Sequence, residues 1–80
     1  MYGDNMDLTQ IEKYKTLGLN VSYYRRKHEL TQEQLAKLLG IERNHVSNVE
    51  LAKAGVSLDV IFRMAGVLEI PVHKLFEFRD

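Results

Sequence analysis

The sequence has no cysteine, a single proline and five glycines among its 80 residues. Without cysteine, neither a disulfide nor a thiolate-bound metal supports the fold, and a reducing compartment suits the chain. The uninterrupted apolar runs are only a few residues long, far below the roughly 20 residues of a membrane-spanning helix. The first residues are polar and acidic, unlike a signal peptide. We therefore expect a small cytoplasmic protein of one domain.

Charge of one sign does not predominate either. Eleven lysines and arginines balance eleven aspartates and glutamates, so the net charge is zero with histidine neutral. Many nucleic-acid-binding domains are clearly basic. A neutral chain can still bind DNA through a locally positive face, but its non-specific affinity should then be low and should fall quickly with salt.

Two predicted helices have recognisable ends. Thr9 and Glu12 have the spacing of a capping box at the start of the first helix. Gly18 lies inside that helix, where it either costs about 1 kcal/mol relative to alanine or allows another backbone to approach closely. Thr31 is a good N-cap for the second helix, and Gly40 stands where a left-handed residue ends it.

Three more helices complete the prediction of an all-α domain. The third covers about residues 42–50, the fourth starts at Ser57, and Pro71 suits the first turn of a short fifth helix. No segment alternates between polar and apolar residues over the length of a strand. From the second helix onward, the apolar residues expected to face inward are Leu35, Ala36, Leu38, Leu39, Ile41, Val46, Val49, Leu58, Ile61, Phe62, Ala65, Leu68, Val72, Leu75 and Phe76.

A resemblance to a known family is centred on residues 31–50, TQEQLAKLLGIERNHVSNVE. This segment resembles the helix-turn-helix of the Cro and lambda-repressor-like family, also called the xenobiotic-response-element type. The resemblance implies a five-helix, lambda-repressor-like DNA-binding domain over residues 9–76, between tails at 1–8 and 77–80. The matching residues, in the family's order and spacing, are Arg25, Leu30, Thr31, Gln32, Leu35, Ala36, Gly40, Ile41, Val46, Val49, Glu50, Ser57, Leu58, Ala65, Leu75 and Phe76.

The spacing of the helix-turn-helix also has a physical reason. Ala36 is small, so the second helix can pass close to the third, and Gly40 lets the chain reverse within a few residues. Ile41 and Val46 then anchor the third helix at a steep angle to the second. One helix can cross the DNA backbone while its partner enters the major groove.

The resemblance implies that the third helix contacts base edges. Val46 and Val49 take its buried face, which leaves an outward face of Arg43, Asn44, Ser47 and Asn48. Arg43 matches O6 and N7 of guanine, and Asn44 or Asn48 matches N6 and N7 of adenine. The alternative is an ordinary solvated face, which any surface helix has.

Three more residues are expected at the DNA backbone. The counterpart of Gln32 in the family binds a phosphate and can steady the recognition helix, although Gln32 can also be an ordinary residue of a capping turn. Lys53 follows the recognition helix and is a second candidate for a phosphate contact. His45 is the third, and it can reach either a base or a phosphate.

Arg25 and Glu50 match a partly buried ion pair of the family, which joins the first helix to the end of the third. We therefore expect Arg25 to be structural and not to contact DNA. Three residues depart from the family pattern. Glu42 stands where the family has a small hydroxyl cap before the third helix. Ala52 replaces a frequent glycine and Val56 replaces a frequent proline, so the loop after the third helix should differ in shape.

The C-terminal residues Leu75, Phe76 and Phe78 are more apolar than a free tail requires. Members of the family commonly bind as twofold dimers with recognition helices about 34 Å apart. We expect these three residues to form an isologous dimer contact. The alternative is that Phe76 closes the core of the monomer and Phe78 covers an edge.

The expected function is sequence-specific binding of double-stranded DNA by a transcriptional regulator, a repressor or controller protein, acting as a homodimer on a palindromic operator. The alternative is a protein-interaction module on the same scaffold, such as a toxin-binding antitoxin. The three histidines lie on separate elements and do not form a ligand set, so no metal is expected. Neither a catalytic triad nor a glycine-rich phosphate loop is present, and we expect neither an enzyme nor a cofactor.

Overall fold

A computed structural model describes residues 6–78, which form four α-helices, two short 3₁₀ turns and no strand. The predicted all-α class is therefore confirmed. The predicted tails fall partly outside the described residues, at 1–5 and at 79–80. The helices are α1 (Ile11–Lys27), α2 (Gln32–Leu39), α3 (Arg43–Glu50) and α4 (Leu58–Leu68).

The two 3₁₀ turns correct the predicted helix ends. The prediction of a fifth helix is wrong, because Val72–Leu75 forms one 3₁₀ turn after Pro71. At the other end, Leu8–Gln10 forms a 3₁₀ turn that leads into α1 and lies partly within the predicted tail.

The predicted Thr9 capping box is also wrong, because Asp7 is the capping residue. The Oδ1 atom of Asp7 accepts hydrogen bonds from the Thr9 hydroxyl at 2.7 Å and the Thr9 amide at 3.0 Å. These two bonds lower the pKa of the Asp7 carboxyl, with the hydroxyl as the larger cause. Glu12 pairs with Lys15 instead, at 3.3 Å.

One hydrophobic core joins all four helices and the C-terminal 3₁₀ turn. The first helix packs on α3, α4 and the C-terminal turn, while α2 packs on α3 and α4. The core therefore places α2 and α3 side by side on a base formed by α1 and α4. The large apolar side chains with less than 2% exposure are Leu35, Leu39, Met64, Leu68, Leu75, Val21, Val46 and Val49.

Four of the expected core residues are instead exposed: Leu38, Leu58, Phe62 and Phe76. Leu38 lies outside the side of α2 that contributes Leu35, Ala36 and Leu39 to the core, and a helix of eight residues buries only one side. Leu58 and Phe62 lie one turn apart on α4, outside the face that contributes Ile61 and Met64 to the core. Apolar identity alone did not distinguish these positions from the buried ones.

A buried asparagine of α1 holds the C-terminal segment in place. Asn20 is only 2% exposed, and its Nδ2 donates to the carbonyl oxygens of Leu75 at 3.0 Å and Glu77 at 2.8 Å. The sequence alone does not predict this role, because a single polar residue in a helix does not reveal a partner 55 residues away.

Candidate nucleic-acid interface

The turn between α2 and α3 is closed by local hydrogen bonds at both ends of α2. Thr31 and Gln34 form a reciprocal capping box, with Gln34 N to Thr31 Oγ1 at 3.0 Å and Thr31 N to Gln34 Oε1 at 2.8 Å. Gly40 ends α2 in the left-handed conformation, at φ 71°. The Ile41 amide then donates to the Ala36 carbonyl at 3.0 Å. Thr31 and Gly40 therefore have the roles expected of them.

A direct backbone contact with α1 fixes the far end of α3. A Cβ atom added to Gly18 would lie 2.6 Å from the carbonyl oxygens of both Val49 and Glu50. Such a distance is far inside van der Waals contact, so only glycine fits between the two helices. Of the two explanations for Gly18, the close approach of another backbone is correct.

A network of side chains around Glu50 joins all three of these helices. Arg25 Nε donates to Glu50 Oε2 at 2.7 Å, and Arg25 Nη2 donates to Oε1 at 3.1 Å. Gln32 Nε2 donates to the same Oε1 at 3.1 Å, and Arg25 Nη1 donates to the Leu30 carbonyl at 2.8 Å. The charged groups are almost fully buried, at 10% exposure for the Arg25 side chain and 6% for Glu50. The structure therefore contains the expected ion pair and assigns Gln32 to it as well.

The outward face of α3 carries the residues expected to contact bases. Arg43, Asn44 and Asn48 are exposed and Ser47 is half-buried, while Val46 and Val49 face the core. Within residues 6–78 these four polar side chains make no hydrogen bond or ion pair with the rest of the chain. Their donors and acceptors are therefore available to an external ligand.

The two ends of α3 are capped in different ways. Glu42 is the N-cap residue, but its carboxylate makes no capping hydrogen bond. At the other end, Ala52 adopts a left-handed conformation at φ 58°, and the Lys53 amide donates to the Asn48 carbonyl at 2.8 Å. This is the geometry of a Schellman motif, so alanine occupies the position where glycine is favoured.

The residues expected to contact the DNA backbone lie around the same helix. The Lys53 side chain is exposed just beyond α3, and His45 is half-buried on its first turn. Gln32 is half-buried at the start of α2, where its amide group is held by Glu50. His45 therefore lies at the beginning of α3, Lys53 just beyond its end, and Gln32 at its contact with α2.

The C-terminal residues expected to form a dimer contact are not on one surface. Leu75 is fully buried in the core, so it is not available to a partner and that part of the expectation is wrong. Phe76 borders an apolar groove with Tyr14 and Leu58. Phe78 lies in a separate depression beside Leu19. The alternative, in which Phe76 closes the core, is also wrong, because Leu75 does so.

Residues 6–78 contain no group of three or more His, Cys, Asp or Glu side chains that could hold a metal ion. None of the helices in this part of the chain has both the length and the apolar character needed to span a bilayer.

Comparison with known proteins supports a relation over most of the chain. A helix-turn-helix family model matches residues 21–75. A helix-turn-helix-type transcriptional regulator of Methanocaldococcus jannaschii is 37% identical over 60 residues, which cover 75% of this chain and 91% of that protein. The control protein C.SmaI of Serratia marcescens is 36% identical over 70 residues, covering 88% of this chain and 77% of that protein.

A solved structure shares the fold. The crystal structure of the restriction-modification controller protein C.AhdI from Aeromonas hydrophila is similar to this chain with a TM-score of 0.75 and 35% identity. The similarity covers 79% of this chain and 96% of the controller protein.

Proposed function

The chain belongs to the helix-turn-helix family, and we propose that it is a transcriptional regulator that reads double-stranded DNA with α3 in the major groove. The unpaired polar face of α3 carries this proposal, because a rigid network at Glu50 holds that face in place. Similarity to transcriptional regulators and control proteins over most of the chain supports this function over a toxin-binding antitoxin and over an enzyme.

Base reading is assigned to the exposed side chains of α3. Arg43 has the donor pair that matches guanine O6 and N7, and Asn44 and Asn48 each have the donor and acceptor that match adenine. Asn44 and Asn48 lie one helical turn apart on the same side, so they can reach neighbouring bases. Ser47 lies between them in sequence, and its hydroxyl can donate a hydrogen bond to a base edge or accept one from it.

Phosphate contacts are assigned to the residues around this face. Lys53 extends beyond α3 and supplies positive charge, while His45 and the second amide hydrogen of Gln32 supply donors. Because Gln32 also binds Glu50, a phosphate on Gln32 would be linked directly to the position of α3. The free Glu42 carboxylate repels phosphate and so weakens binding to DNA of any sequence. Tight binding therefore depends more strongly on correct base contacts.

We extend the proposal to a homodimer formed through α4 and the C-terminal segment. Leu58, Phe62 and Phe76 are 67%, 55% and 51% exposed, and Leu58 and Phe76 line the same groove over α1. Lys13 borders this groove and Asp59 follows Leu58, so a twofold copy can pair opposite charges. The dimer would place two copies of α3 on a palindromic operator, and Phe78 is not needed for it.

Selection from a random duplex library at about physiological salt tests the proposal. We expect a short palindromic motif, with half-sites one helical turn apart, about 34 Å. The double substitution Arg43→Ala and Asn44→Ala should remove the motif, while Lys37→Ala, an exposed charge on α2, should leave it unchanged.

Arg43→Ala alone should weaken binding by roughly ten- to a hundredfold and relax the preference at one position. If folded protein enriches no motif, the regulator proposal is wrong, and the protein-interaction alternative gains support. A motif retained by the double variant would show that another element reads the bases.

A further inference from the structure

The first helix has a second apolar side that no part of residues 6–78 covers. Its inner side contributes Leu17 and Val21 to the core. On the outer side, Leu19 is 65% exposed and Tyr23, one turn later, is 41% exposed. Leu51, which follows α3, is 59% exposed and borders the same depression as Leu19. A surface helix is usually polar on the side that faces water.

We call this surface the α1 outer face and define its apolar part as Leu19, Tyr23 and Leu51. Leu19 stands between two shallow depressions. Tyr23 lines the first and Leu51 the second. The three side chains therefore form one continuous apolar strip, and strips of this kind are typical of interaction sites.

The positive charge beside this strip comes mainly from two residues of α1. Arg26 and Lys27 line the first depression, while Lys15, which lines the second, is paired with Glu12 at 3.3 Å. Lys27 Nζ lies 5.7 Å from the centre of the Tyr23 ring. Two acidic groups share a depression with Leu19, and both are paired: Glu50 with Arg25, and Glu77 with Lys74 at 3.2 Å. The α1 outer face is therefore locally positive on a chain whose net charge is zero.

This charge distribution selects among possible occupants. A second copy of the chain, packed on the same face, would bring the basic residues of the two copies close together, and like charges across an interface are unfavourable. DNA would supply the negative charge, but it would leave Leu19 and Leu51 against phosphates without apolar contact. A protein segment with apolar anchors and flanking carboxylates complements both the apolar strip and the basic residues beside it.

We propose that the α1 outer face binds an acidic amphipathic segment of a protein partner. Apolar side chains of the segment pack on Leu19, Tyr23 and Leu51, and its carboxylates pair with Arg26 and Lys27. The bases are assigned to a different set of residues, on the outward side of α3. The partner can therefore bind to the DNA-bound protein, and its binding does not depend on the DNA sequence that α3 reads.

Two matched peptide-display libraries test this proposal. Both present short helical peptides with apolar residues at positions i, i+3, i+4 and i+7, and they differ only in having Asp and Glu or Lys and Arg elsewhere. We expect binders from the acidic library alone. Leu19→Ser should weaken the best acidic peptide at least about tenfold, as loss of an interface anchor does. Leu38→Ser, which replaces a similarly exposed leucine on α2, should not.

Both test residues are exposed, so neither substitution should alter the fold, which circular dichroism would check. Equal enrichment from the two libraries, or none from either, would overturn the proposal. A change in the sedimentation of the protein alone after Leu19→Ser would assign the face to a second copy instead. Weaker binding to a selected DNA motif after Leu19→Ser would assign it to the DNA interface.

Discussion

At the scale of single residues, the free space beside a glycine determines how its substitution affects stability. Gly18 and Gly66 both lie inside helices, where glycine is unfavourable by about 1 kcal/mol relative to alanine. At Gly18 an added Cβ meets two carbonyl oxygens of α3, whereas at Gly66 it meets nothing within 4 Å. The same substitution should therefore have opposite effects at the two sites.

We predict that Gly18→Ala lowers the free energy of unfolding by about 1–3 kcal/mol, because α3 must move away from α1. Gly66→Ala should raise it by about 0.5–1 kcal/mol. Urea denaturation of the two variants measures both changes. Equal stability of the two would show that α3 moves without penalty, and the close contact would then have no role in positioning it.

A second residue-scale prediction concerns left-handed backbone. Glu69 ends α4 at φ 58°, a conformation that costs an L-residue about 1–2 kcal/mol. Glu69→Gly should therefore raise the free energy of unfolding by about 1 kcal/mol. Glu69→Ala keeps the strain and removes only the contact of Glu69 with His28, at 3.8 Å, so it should give no such gain. Thermal denaturation distinguishes the two, and an equal gain from both would contradict the explanation.

At the scale of elements, α3 is held at each end by a different kind of contact. The turn at Gly40 fixes its start, and the buried network at Glu50 fixes its end. Arg25 belongs to α1 and Gln32 to α2, so a single carboxylate connects three helices. This connection positions the outward face of α3 more precisely than apolar packing alone, because hydrogen bonds have narrow geometry.

We predict that Glu50→Ala lowers the free energy of unfolding by about 3–5 kcal/mol, because Arg25 would be left buried without a partner. The double substitution Arg25→Met and Glu50→Leu should recover most of this loss, since it removes both charges. DNA binding should remain weakened in the double variant, because the link to Gln32 is also gone. A double variant as unstable as Glu50→Ala would show that the pair itself is strongly stabilising.

At the scale of the whole molecule, the exposed apolar residues form two surfaces of different charge. The α4 surface has neighbours of both signs, Lys13 and Asp59, and suits a contact between identical chains. The α1 outer face carries Arg26 and Lys27, while its acidic neighbours are each paired with a basic side chain, so it suits an acidic partner. The even distribution of charge also implies that specific DNA binding depends on base contacts more than on general attraction to phosphate.

We predict that Leu58→Ser shifts the protein from dimer to monomer in sedimentation equilibrium, because it removes an exposed apolar side chain from the twofold contact. Leu38→Ser is the control, since Leu38 is also exposed but lies on α2. Operator binding by Leu58→Ser should need a higher protein concentration. A wild-type protein that is monomeric at high micromolar concentration would show that the dimer proposal is wrong.

The sequence by itself determined the all-α class, the α2–turn–α3 unit and the outward residues of α3. These features depend on local chemistry: Thr31 caps a helix, Gly40 allows a left-handed turn, and the valines of α3 repeat with helical spacing. The pairing of Arg25 with Glu50 was expected only from a family resemblance, because the two residues are 25 positions apart.

Only the tertiary structure decided which apolar side of each helix has a partner. Periodicity marks a side as apolar, but Leu58, Phe62 and Leu19 stay exposed because no other element of the described chain lies over them. The role of Gly18 depends on where α3 crosses α1, and that of Asn20 on where the C-terminal segment ends. These features depend on contacts between residues distant in sequence, so no local sequence pattern predicts them.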